Sequence, residues 1–395
     1  MVFTSSRADY GLLRHIIKRI MDSPRLELSL VVAGSHLLPF QGHTVGEILR
    51  DDIPIDFLAE CELSSDTPDD LVDFVSCGLA KLNTFMGGKK PDLVLLLGDR
   101  YELFIPAIAA LLYRIPIAHL CGGETTQGAL DEQVRHAITK MAHLHFVGTF
   151  LYARHLRLMG EESWRIHVVG EPGIENITKG EYLGAEEIRR QFGLDLSIPT
   201  LLITYHPETL TGEEDVSSQV RQLLAALKEF KEYQQVITYP GLEVKFEEII
   251  KAWKAYAQEN PRVKLYRSLG SRAYLGVMKH AAAVVGNSSS GIIEAPSLKV
   301  PTVNIGDRQK GRIRAESVID VPWDREAIIA ALRKALYDTE FRSRLGRVKN
   351  PYDPYGDGTV SGRVVSVLES VPLGRRLLEK KLDFPTPEEV ARYDG

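Results

Sequence analysis

The sequence predicts two Rossmann-like, doubly wound α/β domains, and three observations carry that prediction. Short apolar runs alternate with stretches of helical periodicity along most of the 395 residues. The runs are bounded by turn residues and rich in Leu, Val and Ile, which is the composition of buried parallel strands. Several end abruptly in polar groups, where an open α/β sheet collects its ligands. At roughly 100–200 residues per domain, the length suits two domains.

Residues 1–4 read as a first strand and residues 5–11 as its loop into a helix, with Leu12, Leu13, Ile16, Ile17 and Ile20 at helical spacing. The first amides of a helix lack partners, so small residues there suggest an anion-binding place, with Arg7 inside it. Further strands are expected at 26–33, 53–57, 93–97, 115–120, 145–148 and 166–169. Helices are expected at 44–50, 69–86, 104–112 and 151–159, with Pro106 in a first turn. Residues 1–170 form the first domain on this reading.

The second domain, 171–359, repeats the pattern without repeating the sequence. A short helix at 188–192 precedes a strand at 200–204. A long helix at 216–233 carries Val220, Leu223, Leu224, Leu227 and Phe230 on one face. Strands at 235–238, 263–266, 283–285 and 300–305 alternate with helices at 246–259 and 271–280. A final helix, within 360–370, joins the first domain, and 371–395 are polar and form either a tail, as charge-rich ends usually do, or a packing arm. Two such domains facing across a cleft make the arrangement called GT-B.

Composition excludes several classes. The net charge is -5 and the pI near 6.2, so nothing suggests nucleic acid. Cys61, Cys77 and Cys121 show no paired spacing, which fits a reducing cytoplasm and argues against a disulfide framework or a zinc site. No apolar run reaches the ~18 residues of a membrane span. Arg7, Asp9 and Tyr10 close behind Phe3 are not a secretory signal pattern.

The chemistry lies at strand ends. Gly98-Asp99-Arg100 ends one apolar run, and His119 followed by Gly122-Gly123-Glu124 ends the next. Asp99, Arg100, His119, Glu124 and Asp131 thus point to acid/base work on an anionic substrate. Taken singly, Gly-Asp-Arg is a turn and Asp131 with Arg135 a surface i,i+4 pair; two adjacent strand ends bearing such groups favour the functional reading. Further on, Gly286-Asn287-Ser288-Ser289-Ser290-Gly291 follows a strand and opens a helix that Pro296 keeps short. Three serines between glycines exceed what a helix cap needs, so Ser288, Ser289 and Ser290 read as a diphosphate loop. Glu294 lies one turn on, where a carboxylate can hold ribose hydroxyls. Arg308 offers a phosphate clamp, and His206, held by Pro207, is a candidate acid group.

Together GDR, HLCGGETTQGALDEQVRHAITK, YHPET, GNSSSGIIEAP and VNIGDRQKGR resemble the hydrolysing UDP-N-acetylglucosamine 2-epimerase family, over residues 7–362 and in family order. The Gly-Gly-Glu after His119 sides with the hydrolysing branch, and the GGETTQGA spacing with bacterial members of sialic- or legionaminic-type sugar synthesis. The resemblance implies a GT-B fold, homo-oligomers (dimers or tetramers), a UDP-sugar substrate, water as co-substrate, and no nicotinamide or metal. It also implies roles. Arg7, Arg100, Ser288, Ser289, Ser290 and Arg308 match phosphate binders. His206 and Glu294 match the nucleoside side, with His206 also a catalytic candidate, and Asp99, Glu124 and Asp131 match the catalytic carboxylates. The activity implied is release of UDP with epimerisation at C2, by elimination to a 2-acetamidoglycal and rehydration. The sugar is N-acetylglucosamine or a 2,4-diacetamido-trideoxyhexose. A non-hydrolysing 2-epimerase and a GT-B glycosyltransferase share the same features.

Overall fold

The computed structural model describes residues 1–38, 43–63, 67–126, 130–208, 213–240 and 246–391. They form two compact units: Met1–Glu124, Asp131–Glu175 and Tyr352–Gly395 make the first, and Thr125–Leu130 with Asn176–Pro351 the second. Each is built on one parallel sheet.

In the first unit the strands are β1 (Val2–Thr4), β2 (Leu30–Ala33), β3 (Phe57–Ala59), β4 (Val94–Leu97), β5 (Ile117–Leu120), β6 (Leu144–Val147) and β7 (Ile166–Val168). Their order is β3-β2-β1-β4-β5-β6-β7, all parallel. β4, β5 and β6 are buried throughout, which is why β4 reads as an unbroken apolar run and β5 and β6 are interrupted only by His119 and His145. The order reverses between β1 and β4, so the residues after those strands flank a topological switch point. The helix Ser361–Ser370 returns to this unit, where Val364 and Val365 share a core with Leu13, Ile16 and Ile17 of the helix Arg7–Met21. Buried Glu175 fixes that return by accepting from the amides of Val360 (3.1 Å) and Ser361 (2.6 Å).

The second unit holds β8 (Thr200–Thr204), β9 (Gln234–Thr238), β10 (Val263–Tyr266), β11 (Ala281–Gly286), β12 (Thr302–Ile305) and β13 (Val318–Val321), in the order β10-β9-β8-β11-β12-β13. It too is wholly parallel, with its switch point between β8 and β11.

Several sequence expectations need correction. The third strand forms at Phe57–Ala59 rather than 53–57, because Pro54 has no N–H for a ladder and Asp56 instead accepts the Leu30 amide at 2.9 Å. The long helix expected at 216–233 spans Glu213–Leu227 and ends in a tighter turn, Lys228–Phe230. β13 and the helices Pro172–Thr178, Arg325–Tyr337 and Thr339–Leu345 lie where no element is expected. Cys61 and Cys77 form a disulfide, with Cα atoms 6.1 Å apart. Folding brings together cysteines whose sequence spacing suggested no pair, so the cysteines no longer argue for a reducing compartment. Among the described residues, no helix is long and apolar enough to cross a membrane.

The charge-rich C-terminal segment is a packed arm, not a solvated tail. Leu377 is buried in the first unit's core. Fully buried Arg165 donates to the carbonyls of Leu377 (2.8 Å), Arg376 (3.2 Å) and Glu379 (2.7 Å), and to His143 O at 3.0 Å. Lys380 meets buried Glu161 at 2.8 Å, alongside Lys140 and His145. Burial alone would raise the Glu161 pKa, but hydrogen bonds from His145, Lys140 and Lys380 outweigh it and bring it down to about 2. A buried guanidinium needs acceptors, and the arm supplies three of them. Deleting residues 375–395 should therefore lower unfolding stability by about 3–5 kcal/mol, the cost of stripping partners from a buried charge. Thermal and urea unfolding would read this, and an unchanged midpoint would contradict the packed arm.

Candidate active site

The loop after β1 is not open to an external anion. The helix begins at Arg7, and Ser6 caps it in a reciprocal box with Asp9. The Asp9 carboxylate accepts from the amides of Ser5 (2.9 Å) and Ser6 (2.9 Å) and from the Thr4 hydroxyl (2.7 Å). An internal carboxylate thus takes the amides that the sequence offered to a ligand. Thr4 in turn accepts from His36 Nε2 at 3.0 Å, and His36 Nδ1 accepts from Thr44 at 2.8 Å. Burial pushes the His36 pKa down to about 4. Arg7 stands at the first helical position, half-buried.

The next two strand ends are joined by a buried arginine. Asp99 follows β4 and forms an ion pair with Arg135 Nη2. Arg135 Nη1 donates to the carbonyl of Glu124 at 3.0 Å and to the Glu132 carboxylate at 2.9 Å. Arg135 is fully buried, so the alternative of a surface pair with Asp131 does not hold: the side chain points inward, to the strand ends. Asp131 opens the same helix, Asp131–Met141, one turn earlier. Arg100 donates from Nε (3.2 Å) and Nη2 (2.9 Å) to buried Glu102. His119, fully buried on β5, donates from Nε2 to Gly98 O at 2.7 Å, while Nδ1 accepts from Thr139 at 3.3 Å. Burial pushes its pKa down to about 4, so it is a neutral brace for the turn before Asp99.

Glu124 is buried beside Cys121 and Glu171. Among the described residues these three could hold a metal ion, their donor atoms lying within 4.8 Å of one another. The Cys121 thiol donates to Glu171 at 3.4 Å, and burial, with both glutamates near, pushes its pKa well up. The set therefore offers two carboxylates and a protonated thiol, a poor soft ligand. Glu171 reaches this position over Gly148, where a Cβ would stand 1.9 Å from its Oε1.

In the second unit, Asn287 ties two strand ends together. Its Oδ1 accepts from the His206 amide at 2.8 Å, and its Nδ2 donates to His206 O at 2.8 Å. Gly286 allows this approach, since at φ 126° an added Cβ would lie 2.0 Å from Thr204 O. Arg308 Nη1 (3.3 Å) and Gln309 Nε2 (2.9 Å) both donate to Asn287 O, bringing the loop after β12 to the serine loop. Buried Glu208 accepts from the Asp307 amide (3.0 Å) and Trp323 Nε1 (2.9 Å). Ser288, Ser289 and Ser290 are half-buried, as is His206. The helix they open, Ser290–Ile293, has only four residues. The helix-dipole support expected for this loop is therefore small, because too few peptide dipoles add up. Burial raises the Glu294 pKa, opposed by a hydrogen bond from Ser290 and by Arg312.

The structure thus brings Asp99 and the Glu124 backbone to Arg135 in the first unit, with Asp131 one turn earlier on the same helix; Arg7 opens the helix after β1, and Arg100 follows Asp99. It gathers His206, Ser288 and Arg308 about Asn287 in the second. Arg135, Asn287, Glu208, Gln309 and Glu171 carry no role in the sequence reading. Arg135 and Asn287 stood inside the quoted motifs, and only their burial separates them from surface residues. Thr209 of the YHPET motif and the 127–129 part of the GGETTQGA motif lie outside the described residues.

Comparison with known proteins gives the family and the fold. The family model described as UDP-N-acetylglucosamine 2-epimerase matches residues 18–369. The chain is 37% identical over 320 residues to the GDP/UDP-N,N'-diacetylbacillosamine 2-epimerase (hydrolyzing) of Campylobacter jejuni, covering 81% of this chain and 83% of that one. It is 33% identical over 377 residues to the UDP-N,N'-diacetylbacillosamine 2-epimerase (hydrolyzing) of Legionella pneumophila, covering 95% and 97%. The crystal structure of Methanocaldococcus jannaschii UDP-GlcNAc 2-epimerase in complex with UDP-GlcNAc and UDP superposes with a TM-score of 0.74 at 18% identity, covering 93% and 98%. That likeness bears out two Rossmann-like units of GT-B type.

The buried histidines set an acid limit. His36 and His119 have folded pKa values lowered to about 4 from an ordinary 6.5. The folded state then binds fewer protons than the unfolded state between those values. Their contribution is complete above pH 6.5 and lost as pH falls toward 4. Urea unfolding at a series of pH values should show stability falling over that window, with a shallower fall for His119→Gln; equal slopes would contradict the neutral-brace reading.

Proposed function

The chain belongs to the UDP-N-acetylglucosamine 2-epimerase family, and on that premise we propose that it hydrolyses a UDP-linked 2-acetamido sugar with inversion at C2, releasing UDP and the free 2-epimer. The observation that carries the reading is the set Asp99 and Glu124 on consecutive strand ends and Asp131 on the helix that follows the second, with buried Arg135 held between Asp99 and the Glu124 carbonyl. The relatives named above are both described as hydrolyzing, which supports this branch over a non-hydrolysing epimerase or a glycosyltransferase. Both names specify N,N'-diacetylbacillosamine, so the preferred sugar is the 2,4-diacetamido-trideoxyhexose rather than N-acetylglucosamine. The product then belongs to sialic- or legionaminic-type sugar synthesis. A cytoplasmic location and a homo-oligomer, dimer or tetramer, are part of the same proposal.

The chemistry follows from the substrate. The C2 hydrogen is not next to a carbonyl carbon and is weakly acidic, so its removal accompanies departure of UDP from C1. A carboxylate takes the C2 proton, the C1–O bond pair leaves with UDP, and a 2-acetamidoglycal remains. Water then adds its oxygen to C1 while a proton reaches the opposite face of C2. The sum is one water consumed and no change in oxidation state, so no nicotinamide is called for. Asp99, Glu124 and Asp131 carry the proton transfers, with His206 as a further acid group. Arg308, Ser288, Ser289, Ser290 and Glu294 hold the nucleotide, with Arg7 and Arg100 on the diphosphate.

Two measurements test this. Incubation with UDP-N,N'-diacetylbacillosamine and UDP-N-acetylglucosamine in D₂O should give UDP and a free 2-epimer carrying deuterium at C2, by NMR. Asn or Gln at each carboxylate should lower turnover by ~10²–10⁴-fold and spare UDP binding. A product that keeps its C2 hydrogen would refute base-driven elimination. Separately, Arg308→Ala should weaken UDP binding by about 1.5–3 kcal/mol, the value of a hydrogen bond to a charged group; unchanged calorimetric affinity would remove Arg308 from the nucleotide site.

A further inference from the structure

Arg135 reaches three pieces of chain that carry the candidate carboxylates. Its Nη2 meets Asp99 itself, in the turn after β4. Its Nη1 holds the backbone carbonyl of Glu124, in the turn after β5, at 3.0 Å. The same Nη1 meets Glu132 at 2.9 Å, next to Asp131 on the helix that carries Arg135. None of the Arg135 surface is exposed, so solvent cannot stand in for these partners. A guanidinium is planar and its donors diverge at fixed angles, so it transmits the position of one acceptor to the next. A lysine ammonium brings the same charge without that fork.

We propose that Arg135 is a positioning residue of the reaction: one buried guanidinium sets the spacing of Asp99, Glu124 and Asp131. The inference rests on the proposed function, since it concerns the carboxylates assigned to proton transfer there. Arg135 acts on the sugar only through them. Its loss therefore slows the chemical step and leaves nucleotide binding nearly unchanged, since none of the partners given above for Arg135 is assigned to the nucleotide. The turn bearing Asp99 has a second brace, because His119 holds Gly98 O at 2.7 Å. That neutral contact fixes the backbone but not the carboxylate, so it does not replace the ion pair.

The test is a double-mutant cycle with Arg135→Lys and Asp99→Asn, reading kcat, KM, UDP affinity by calorimetry and C2 deuterium incorporation. Arg135→Lys should lower kcat by about 100-fold, as a misplacement of about 1 Å does. KM and UDP affinity should stay within about threefold, and in the Asp99→Asn background the same change should cost less than about threefold, since residues acting as one unit are not additive. Added methylguanidine should restore part of the kcat of Arg135→Ala. If the arginine variants fail to fold, Glu132→Gln loosens the same guanidinium and should lower kcat by about tenfold with KM unchanged. Wild-type kcat in Arg135→Lys or Glu132→Gln, or an equal loss in both backgrounds, would overturn the positioning role. Wild-type kcat in Asp99→Asn would instead overturn the proposed function's assignment of Asp99, and this inference with it.

Discussion

Where a parallel strand stops, its last peptide groups lose their ladder partners, and buried peptide groups must find others. In this protein, buried polar side chains answer that need at the same strand ends that carry the chemistry. Asp9 takes the amides after β1, His119 the carbonyl of Gly98 after β4, and Arg135 the carbonyl of Glu124 after β5. Asn287 takes both the amide and the carbonyl of His206 after β8. Each brace is fully or nearly fully buried. The loops that carry Asp99, Glu124, His206 and Arg308 are therefore fixed by hydrogen bonds that water cannot replace.

The two buried arginines show two uses of one physical problem. A guanidinium in the interior costs several kcal/mol unless its donors are met. Arg165 meets its need with carbonyls of the C-terminal arm and so draws a charge-rich segment onto the first unit. Arg135 meets its need with carboxylates and a carbonyl from the strand ends. One arrangement holds the fold together, and the other also sets distances among groups assigned to proton transfer.

Much of this was legible in the sequence because buried parallel strands leave a plain signature. β4 and β5 stand out as apolar runs that stop at Gly98-Asp99-Arg100 and at Cys121-Gly122-Gly123-Glu124. Asp99 and Glu124 followed directly from those endings, and the serine loop from the end of β11. What sequence cannot show is which polar residues turn inward. Arg135 has the spacing of a surface i,i+4 partner of Asp131, and nothing local separates that from a buried guanidinium whose partners lie on other elements. Asn287 sits in a loop rich in small polar residues, so its reciprocal pairing with His206, 81 residues away, is invisible before folding. The choice between a tail and a packing arm was closed to the sequence for a similar reason: Lys380 pairs with Glu161, and Asp383 meets Arg157, only in three dimensions. The Cys61–Cys77 bridge likewise joins a loop to a helix that spacing alone did not connect.

The histidines complete the electrostatic picture. His36 and His119 lie against the strand ends of the first unit, and burial keeps both neutral at neutral pH. A charged imidazolium there would add a second cation near Asp9 or Asp99. Kept neutral, each instead offers one fixed donor and one fixed acceptor, to Thr4 and Thr44 or to Gly98 and Thr139. The positive charge next to Asp99 then comes from Arg135, which cannot lose its proton at working pH. The charge that Arg135 places beside that carboxylate therefore does not vary with pH, whereas a histidine in the same place would make it vary.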